Sequence, residues 1–288
     1  MITIENDLLS ASVNFKGAEL SSLKKKSSST EYIWQADPAH WARHAPILFP
    51  IVGRLRNDEY VINKKRYSLT QHGFARDMEF EVVEHEKDMA VFQLKSTLDT
   101  RLAYPFKFLL IVSFQLHNND LTISYEVVNK SGDAMYFSIG GHPAFNCPVF
   151  PGTKKTEYSL EFDEKETAFT QRLEDGLRTN DQEKILENER KIPITESLFD
   201  HDALIFDQLK SKKISLVHDG DTLIELQFEG FPYLGIWSKS AEAPFVCIEP
   251  WFGVADRVDH DYDFTKKEGI LSLEPKSCFT CSYLIKVH

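Results

Sequence analysis

Two stripes of alternating side chains flank a polar turn. Phe108, Leu110, Val112, Phe114 and Leu116 occupy every second position. Asn118-Asn119-Asp120 follows, and Leu121, Ile123, Tyr125 and Val127 then resume the alternation, with Thr122, Ser124 and Glu126 between them. Successive side chains of an extended chain point to opposite faces, so this pattern predicts a hairpin with one buried face. Asn and Asp bond readily to their own backbone and so supply the turn. The pattern recurs at Ile214 and Leu216, which lead through His218-Asp219-Gly220-Asp221 to Ile224, Leu226 and Phe228. Shorter strands are predicted at 79–84, 89–95, 134–139, 158–163, 233–237, 245–249 and 277–287.

Helical signals are scarce. Asp37 before Pro38 predicts a short capped helix running through Trp41. The charged stretch 171–197 has no clear period and reads as a surface excursion with a turn or two of helix. No repeat or interdomain linker stands out. The expected architecture is therefore a single all-β domain spanning 1–288, a large antiparallel sandwich or barrel with few short helices. A chain of 288 residues is long enough to bury a large core.

Charge and composition remove several function classes. Lys and Arg number 33 against 44 Asp and Glu, a net charge of −11, which repels phosphate backbones and argues against nucleic-acid binding. Lys24-Lys25-Lys26 reads as a solvated loop. No apolar run approaches the ~20 residues of a membrane helix, and residues 1–7 lack the basic and apolar pattern of a secretory signal, so a cytoplasmic protein is expected. Cys278 and Cys281 form a Cys-x-x-Cys, but they fall in an alternating strand, where residues three apart face opposite ways. A buried, inert Cys281 is expected rather than a metal or redox pair. Asp259-His260-Asp261-Tyr262-Asp263 starts like a calcium loop but has Phe264 where glycine belongs and Ile270 where glutamate belongs. No phosphate-cradling glycine loop or zinc-binding helix motif is present.

Four segments carry residues suited to chemistry. Gly53-Arg54 closes an apolar stretch and offers a guanidinium fork for oxygen ligands. His72-Gly73 follows in Gln71-His72-Gly73-Phe74-Ala75-Arg76. His142 stands in Gly140-Gly141-His142-Pro143-Ala144-Phe145-Asn146, with glycines that permit close approach of a ligand and a proline that extends the backbone. Glu249 ends the apolar strand Phe245-Val246-Cys247-Ile248 and meets Pro250-Trp251. Desolvation there would raise its proton affinity and make it a better base, while a histidine is suited to act as an acid near neutral pH. Each residue taken alone also has a structural role open to it: a surface arginine, a satisfied core histidine, an ion-paired glutamate.

In order and spacing, these segments resemble the aldose 1-epimerase (galactose mutarotase-like) family. The likeness runs over nearly the whole chain and includes Phe231-Pro232-Tyr233-Leu234-Gly235-Ile236-Trp237-Ser238. Leu55-Arg56-Asn57 after Gly53-Arg54, the single glycine after His72, and the Gly-His-Pro context of His142 mark a divergent branch. The resemblance implies a β-supersandwich and a cofactor-free reaction on a small sugar, with no metal. Glu249 would take the proton of the anomeric hydroxyl and His142 would protonate the ring oxygen, the two standing on opposite sides of the ring, a pyranose-width apart. Arg54 and His72 would hold sugar oxygens. An aspartate would bind a hydroxyl, with Asp202 the best match and Asp200 close by. Trp251, Phe145 and Trp237 are candidates to stack on the sugar. The alternatives are a hexose 6-phosphate 1-epimerase, for which Arg43, Arg56, Arg76 and Arg257 are candidate cations, a sugar sensor without turnover, and a glycoside hydrolase pairing Glu249 with Asp202. A monomer or homodimer is expected.

Overall fold

The computed structural model describes residues 1–288. Strands dominate, and the single α-helical segment is the one turn Thr100–Ala103. Nine antiparallel strands form the larger sheet. At its centre the predicted hairpin forms as Phe108–His117 and Asp120–Asn129, paired from Phe108 with Asn129 to His117 with Asp120. Asp120–Asn129 then pairs with the C-terminal strand Cys278–Val287, which joins it to the second predicted hairpin, Lys213–His218 with Asp221–Gln227. The alternating residues bury one face and leave the other partly solvated, as an antiparallel sheet with one wet side requires.

A smaller, six-stranded sheet contains Leu204–Asp207, Tyr233–Trp237, Phe245–Phe252, Ile139–Gly141, Ile47–Leu48 and Ala144–Asn146. A four-stranded sheet is built from the first 31 residues. Residues of all three sheets meet in one core cluster of 63 buried residues that runs from Ile4 to Val287. Aromatic pairs bridge the two larger sheets: Phe162 meets Phe206 with ring centres 6.0 Å apart, and Phe252 meets Phe279 at 5.0 Å. Burying each such ring stabilises the packed layers by roughly 1.5–3 kcal/mol. No helix is long and apolar enough to cross a membrane.

Three local expectations are corrected. Residues 37–41 make a turn and no helix. Asp37 does accept the Ala39 N–H through its carboxylate at 2.9 Å, but the Trp41 carbonyl accepts from the Trp34 indole N–H at 2.9 Å instead of extending a helical ladder. The stretch 171–197 is mostly strand: Tyr158–Glu174 and Leu177–Pro193 form a hairpin of 17 residues on each side. Its second strand is largely exposed, and four register shifts interrupt the pairing, so no period-two stripe survives in the sequence. Cys278 is exposed and Cys281 is half-buried rather than buried: it lies on the core-facing side with Phe279, Tyr283 and Ile285, but near the strand's outer end, where Phe279 is also only half-buried.

Candidate active site

The strand Phe245–Phe252 organises the site. It pairs on one side with Tyr233–Trp237, where Gly235 faces Glu249. On the other side Gly140 pairs with Trp251 and Ala144 pairs with Cys247. His142 lies two residues on from Gly140, and Glu249 two residues back from Trp251, so the register sets them opposite one another. Pro143, which has no N–H to donate, coincides with a break in the ladder between Gly140 and Ala144. The backbone is held all the same: His142 N–H donates to Pro46 at 3.1 Å, and Ile248 N–H donates to Pro143 at 3.2 Å. Glu249 sits inside this strand, which continues through Pro250 to Phe252, and does not end it as the sequence pattern implied.

His142 Nε2 stands 3.1 Å from Glu249 Oε2, and the residues are 6% and 1% exposed. The expected separation of a ring's width is therefore replaced by direct contact. Glu249 Oε2 and His142 Nδ1 are nonetheless buried without a hydrogen-bond partner. Buried polar groups are nearly always satisfied, so two orphans at one spot point to a ligand or a reaction. Burial pulls His142 down to about 3 and holds the Glu249 carboxyl well above the usual carboxylate range, with the neighbouring Trp251 N–H opposing the latter less strongly. Both residues are thus driven toward their neutral forms, with the shared proton on the carboxyl.

Both residues line a cavity of about 480 Å³, within the range of small-molecule sites. Trp41 stacks on the His142 ring at 4.9 Å, and Trp237 meets its edge at 5.8 Å. His72 approaches the same ring edge-on at 5.5 Å. Its backbone N–H donates to the Gly53 carbonyl at 2.9 Å, and its Nδ1 accepts the Gly53 N–H at 3.1 Å. With Nδ1 accepting, a neutral His72 carries its proton on Nε2, and burial keeps it neutral, its pKa well below the usual histidine range. Gly53 is required at this clasp: it has φ +73°, and a Cβ there would lie 2.5 Å from the Ala255 backbone.

Of the five residues singled out from the sequence, His72, His142, Glu249 and Asp202 line the cavity. Asp202 holds φ +76° and accepts the Ala203 N–H at 2.8 Å; Asp200 does not line it. Arg54 does not line it either. Its guanidinium pairs with Asp58 at 3.1 Å and donates to the Asp175 carbonyl at 3.1 Å, on the turn of the long hairpin. The cavity's arginine is Arg76, at the end of the His72-Gly73 segment. It donates to the Gln71 carbonyl at 2.6 Å, and its Nε is buried with no hydrogen bond, its only ion-pair partner being Asp77 at 3.8 Å. Burial, assisted by the nearby Arg43, pulls Arg76 down to about 10. Arg56 and Arg257 do not line the cavity and bond instead to His260 and Asp259. Trp237 and Trp251 line the cavity, whereas Phe145 is fully buried in the core. Sequence reasoning missed Trp41, Gln71 and Lys239; only Gln71 had a signal, its place beside His72.

Comparison with known proteins shows the family and the fold. The family model described as Aldose 1-epimerase matches residues 1–268. The chromosomal LacX protein of Lactococcus lactis subsp. lactis is 33% identical over 99% of both chains. A galactose mutarotase related enzyme from Lactobacillus acidophilus is 40% identical, with a TM-score of 0.95 over 100% of this chain and 97% of that one. A galactose mutarotase-like protein from Lactobacillus casei ATCC 334 is 32% identical, with a TM-score of 0.93 over the whole of both chains.

Proposed function

Because this chain belongs to the aldose 1-epimerase family, we propose that it interconverts the α and β anomers of a hexose, with Glu249 as base and His142 as acid. The observation that carries this reading is the buried, unsatisfied contact of 3.1 Å between the two side chains at the cavity wall.

Ring opening removes a proton from the anomeric hydroxyl and adds one to the ring oxygen. Those oxygens are bonded to the same carbon, one bond angle apart, so donor and acceptor must lie side by side. A contact of 3.1 Å suits that need better than groups on opposite sides of the ring. In the reacting form Glu249 is a carboxylate and His142 an imidazolium. Proton transfer leaves carboxylic acid, neutral imidazole and an open-chain aldehyde. Rotation about C1–C2 presents the other carbonyl face, closure reverses both transfers, and the pair returns to its starting state. Burial disfavours the charged form, which makes the carboxylate a stronger base and the imidazolium a stronger acid. Each positioned group contributes typically ~10²–10⁴ in rate, so together they lower the barrier by roughly 5–11 kcal/mol.

The other roles follow from position. His72 presents its Nε2–H to a sugar oxygen, Asp202 accepts from a hydroxyl, and Trp41 and Trp237 offer apolar faces to the ring. Arg76 replaces Arg54 as the cation that meets substrate. Its Nε, free of hydrogen bonds, and Lys239 on the same cavity lining favour a second form of the reading, in which the hexose bears a phosphate.

Magnetisation-exchange NMR over free aldoses and hexose 6-phosphates tests these readings. Accelerated exchange for at least one sugar is expected, and preference for the phosphate esters selects the second form. Thermal stabilisation by a sugar with no acceleration for any of them would identify a binding protein and overturn the enzymatic reading.

A further inference from the structure

We infer that His142, Cys247 and Glu249 form a binding site for a thiolate-seeking divalent cation such as zinc, and that occupancy blocks the acid–base pair. Cys247 precedes Glu249 by two positions on the strand Phe245–Phe252, so both project from the same face, and His142 stands across from them. Their ligand atoms all lie within 4.8 Å of one another, and all three residues are buried.

The donor set and its spacing favour a tetrahedral ion. Two ligands bonded at about 2.1 Å to a tetrahedral ion are about 3.4 Å apart, and Nε2 and Oε2 are already at 3.1 Å. The sulfur, within 4.8 Å of both, closes the third bond by moving toward the ion. Thiolate, imidazole and carboxylate together suit zinc or cobalt and disfavour magnesium and calcium, which prefer all-oxygen shells. The orphaned Glu249 Oε2 gains the partner it lacks. His142 and Glu249 border the cavity, which gives the ion a path in and leaves its fourth position for water.

Binding releases the thiol proton and the proton shared by the pair to solvent. The ion then occupies the Nε2 lone pair and the carboxylate, so neither proton transfer of epimerisation can proceed. This inhibitory consequence rests on the acid–base reading above; the binding itself does not.

Titration of the full-length protein with Co²⁺, read by absorption, tests the site independently of activity. We expect one cobalt per chain with a thiolate-to-cobalt charge-transfer band that Zn²⁺ abolishes. Cys247→Ala removes the band, keeps the metal-free epimerisation rate, and raises the Zn²⁺ concentration for half-inhibition at least ~10-fold. His142→Asn removes the band as well, a readout that serves if the cysteine variant does not fold. Absence of a thiolate band in the unmodified protein overturns the site; so does a band unchanged in either variant, whose sulfur would then come from another thiol such as the exposed Cys278. A cobalt band that behaves as expected in a protein that accelerates no sugar would instead leave the site standing and remove the acid–base reading.

Discussion

Glu249 and Asp256 lie close in sequence and are almost equally buried, at 1% and 2% exposure, yet their surroundings differ in kind. Asp256 belongs to a satisfied charge network. One of its oxygens pairs with Lys267 Nζ at 3.1 Å, and the other accepts the Arg56 N–H at 3.0 Å. Lys267 also donates to the Val254 carbonyl. Beside them the buried Arg178 forms a bidentate pair with Glu268, both bonds 2.8 Å, and donates to the Ala255 carbonyl at 2.9 Å. That network fastens the long hairpin to the loop behind the cavity, and Leu173 and Gly176 of the hairpin reach the cavity wall. Glu249 and His142 have a companion each but lack bonds at Oε2 and Nδ1. A satisfied buried charge holds the fold together, whereas an unsatisfied one keeps bonding capacity in reserve for a ligand.

Five substitutions sharpen or break this contrast. On the unsatisfied side, Glu249→Gln or His142→Asn is expected to slow epimerisation about 10²–10⁴-fold while the protein stays folded, as read by polarimetry and circular dichroism. Rates near that of the unaltered protein would make the pair structural after all. On the satisfied side, Asp256→Asn strands the Lys267 cation in the interior. Urea denaturation should show a loss of about 3–5 kcal/mol, and a loss below ~1 kcal/mol would mean the network does not hold the loop.

Acid titration separates the two sides further. His142 has a folded-state pKa depressed from 6.5 to about 3, so its neutral form favours folding fully above pH 6.5. That contribution is lost as pH falls from 6.5 toward 3, because the unfolded chain takes up the proton first. His142→Asn should therefore flatten the fall of stability with acid by about 1.4 kcal/mol per pH unit inside that window. An unchanged slope would show that the imidazole is protonated in the folded protein. The smallest effect is expected at Arg54. It is 39% exposed at its side chain and paired with an equally exposed Asp58, so Arg54→Ala should alter kcat/KM by no more than ~5-fold, equivalent to about 1 kcal/mol. Arg76→Ala should raise KM by ~10-fold or more, through loss of a charged hydrogen bond. The opposite ranking would restore Arg54 to the substrate.

Much of this arrangement was legible in the sequence, and the gaps have physical causes. Hairpins with one buried face display their period, so 108–128 and 214–228 could be located from side-chain alternation alone. The long hairpin was missed because its exposed second strand and its bulges erase the alternation. His142 and Glu249 stood out because an ionisable residue against an apolar run is costly unless it is used. Their direct contact was not legible, since it depends on the register of two strands distant in sequence. The arginine was misassigned for a related reason. Gly53-Arg54 is a true landmark, but its glycine supports the site by clasping His72, while the Arg54 side chain points to the hairpin turn. Side-chain direction at a turn depends on tertiary neighbours, which spacing does not record.

The central claim is that His142 and Glu249 act as one unit on one shared proton, and a double-mutant cycle tests it most directly. Anomerisation of fresh α-glucose and α-galactose, or of their 6-phosphates if those are the substrates, would be compared in the unaltered protein, Glu249→Gln, His142→Asn and the double variant. If the pair works as a unit, the double variant is slower than the worse single variant by no more than ~5-fold. Losses that multiply across the two positions would show that they contribute independently, and would contradict the account.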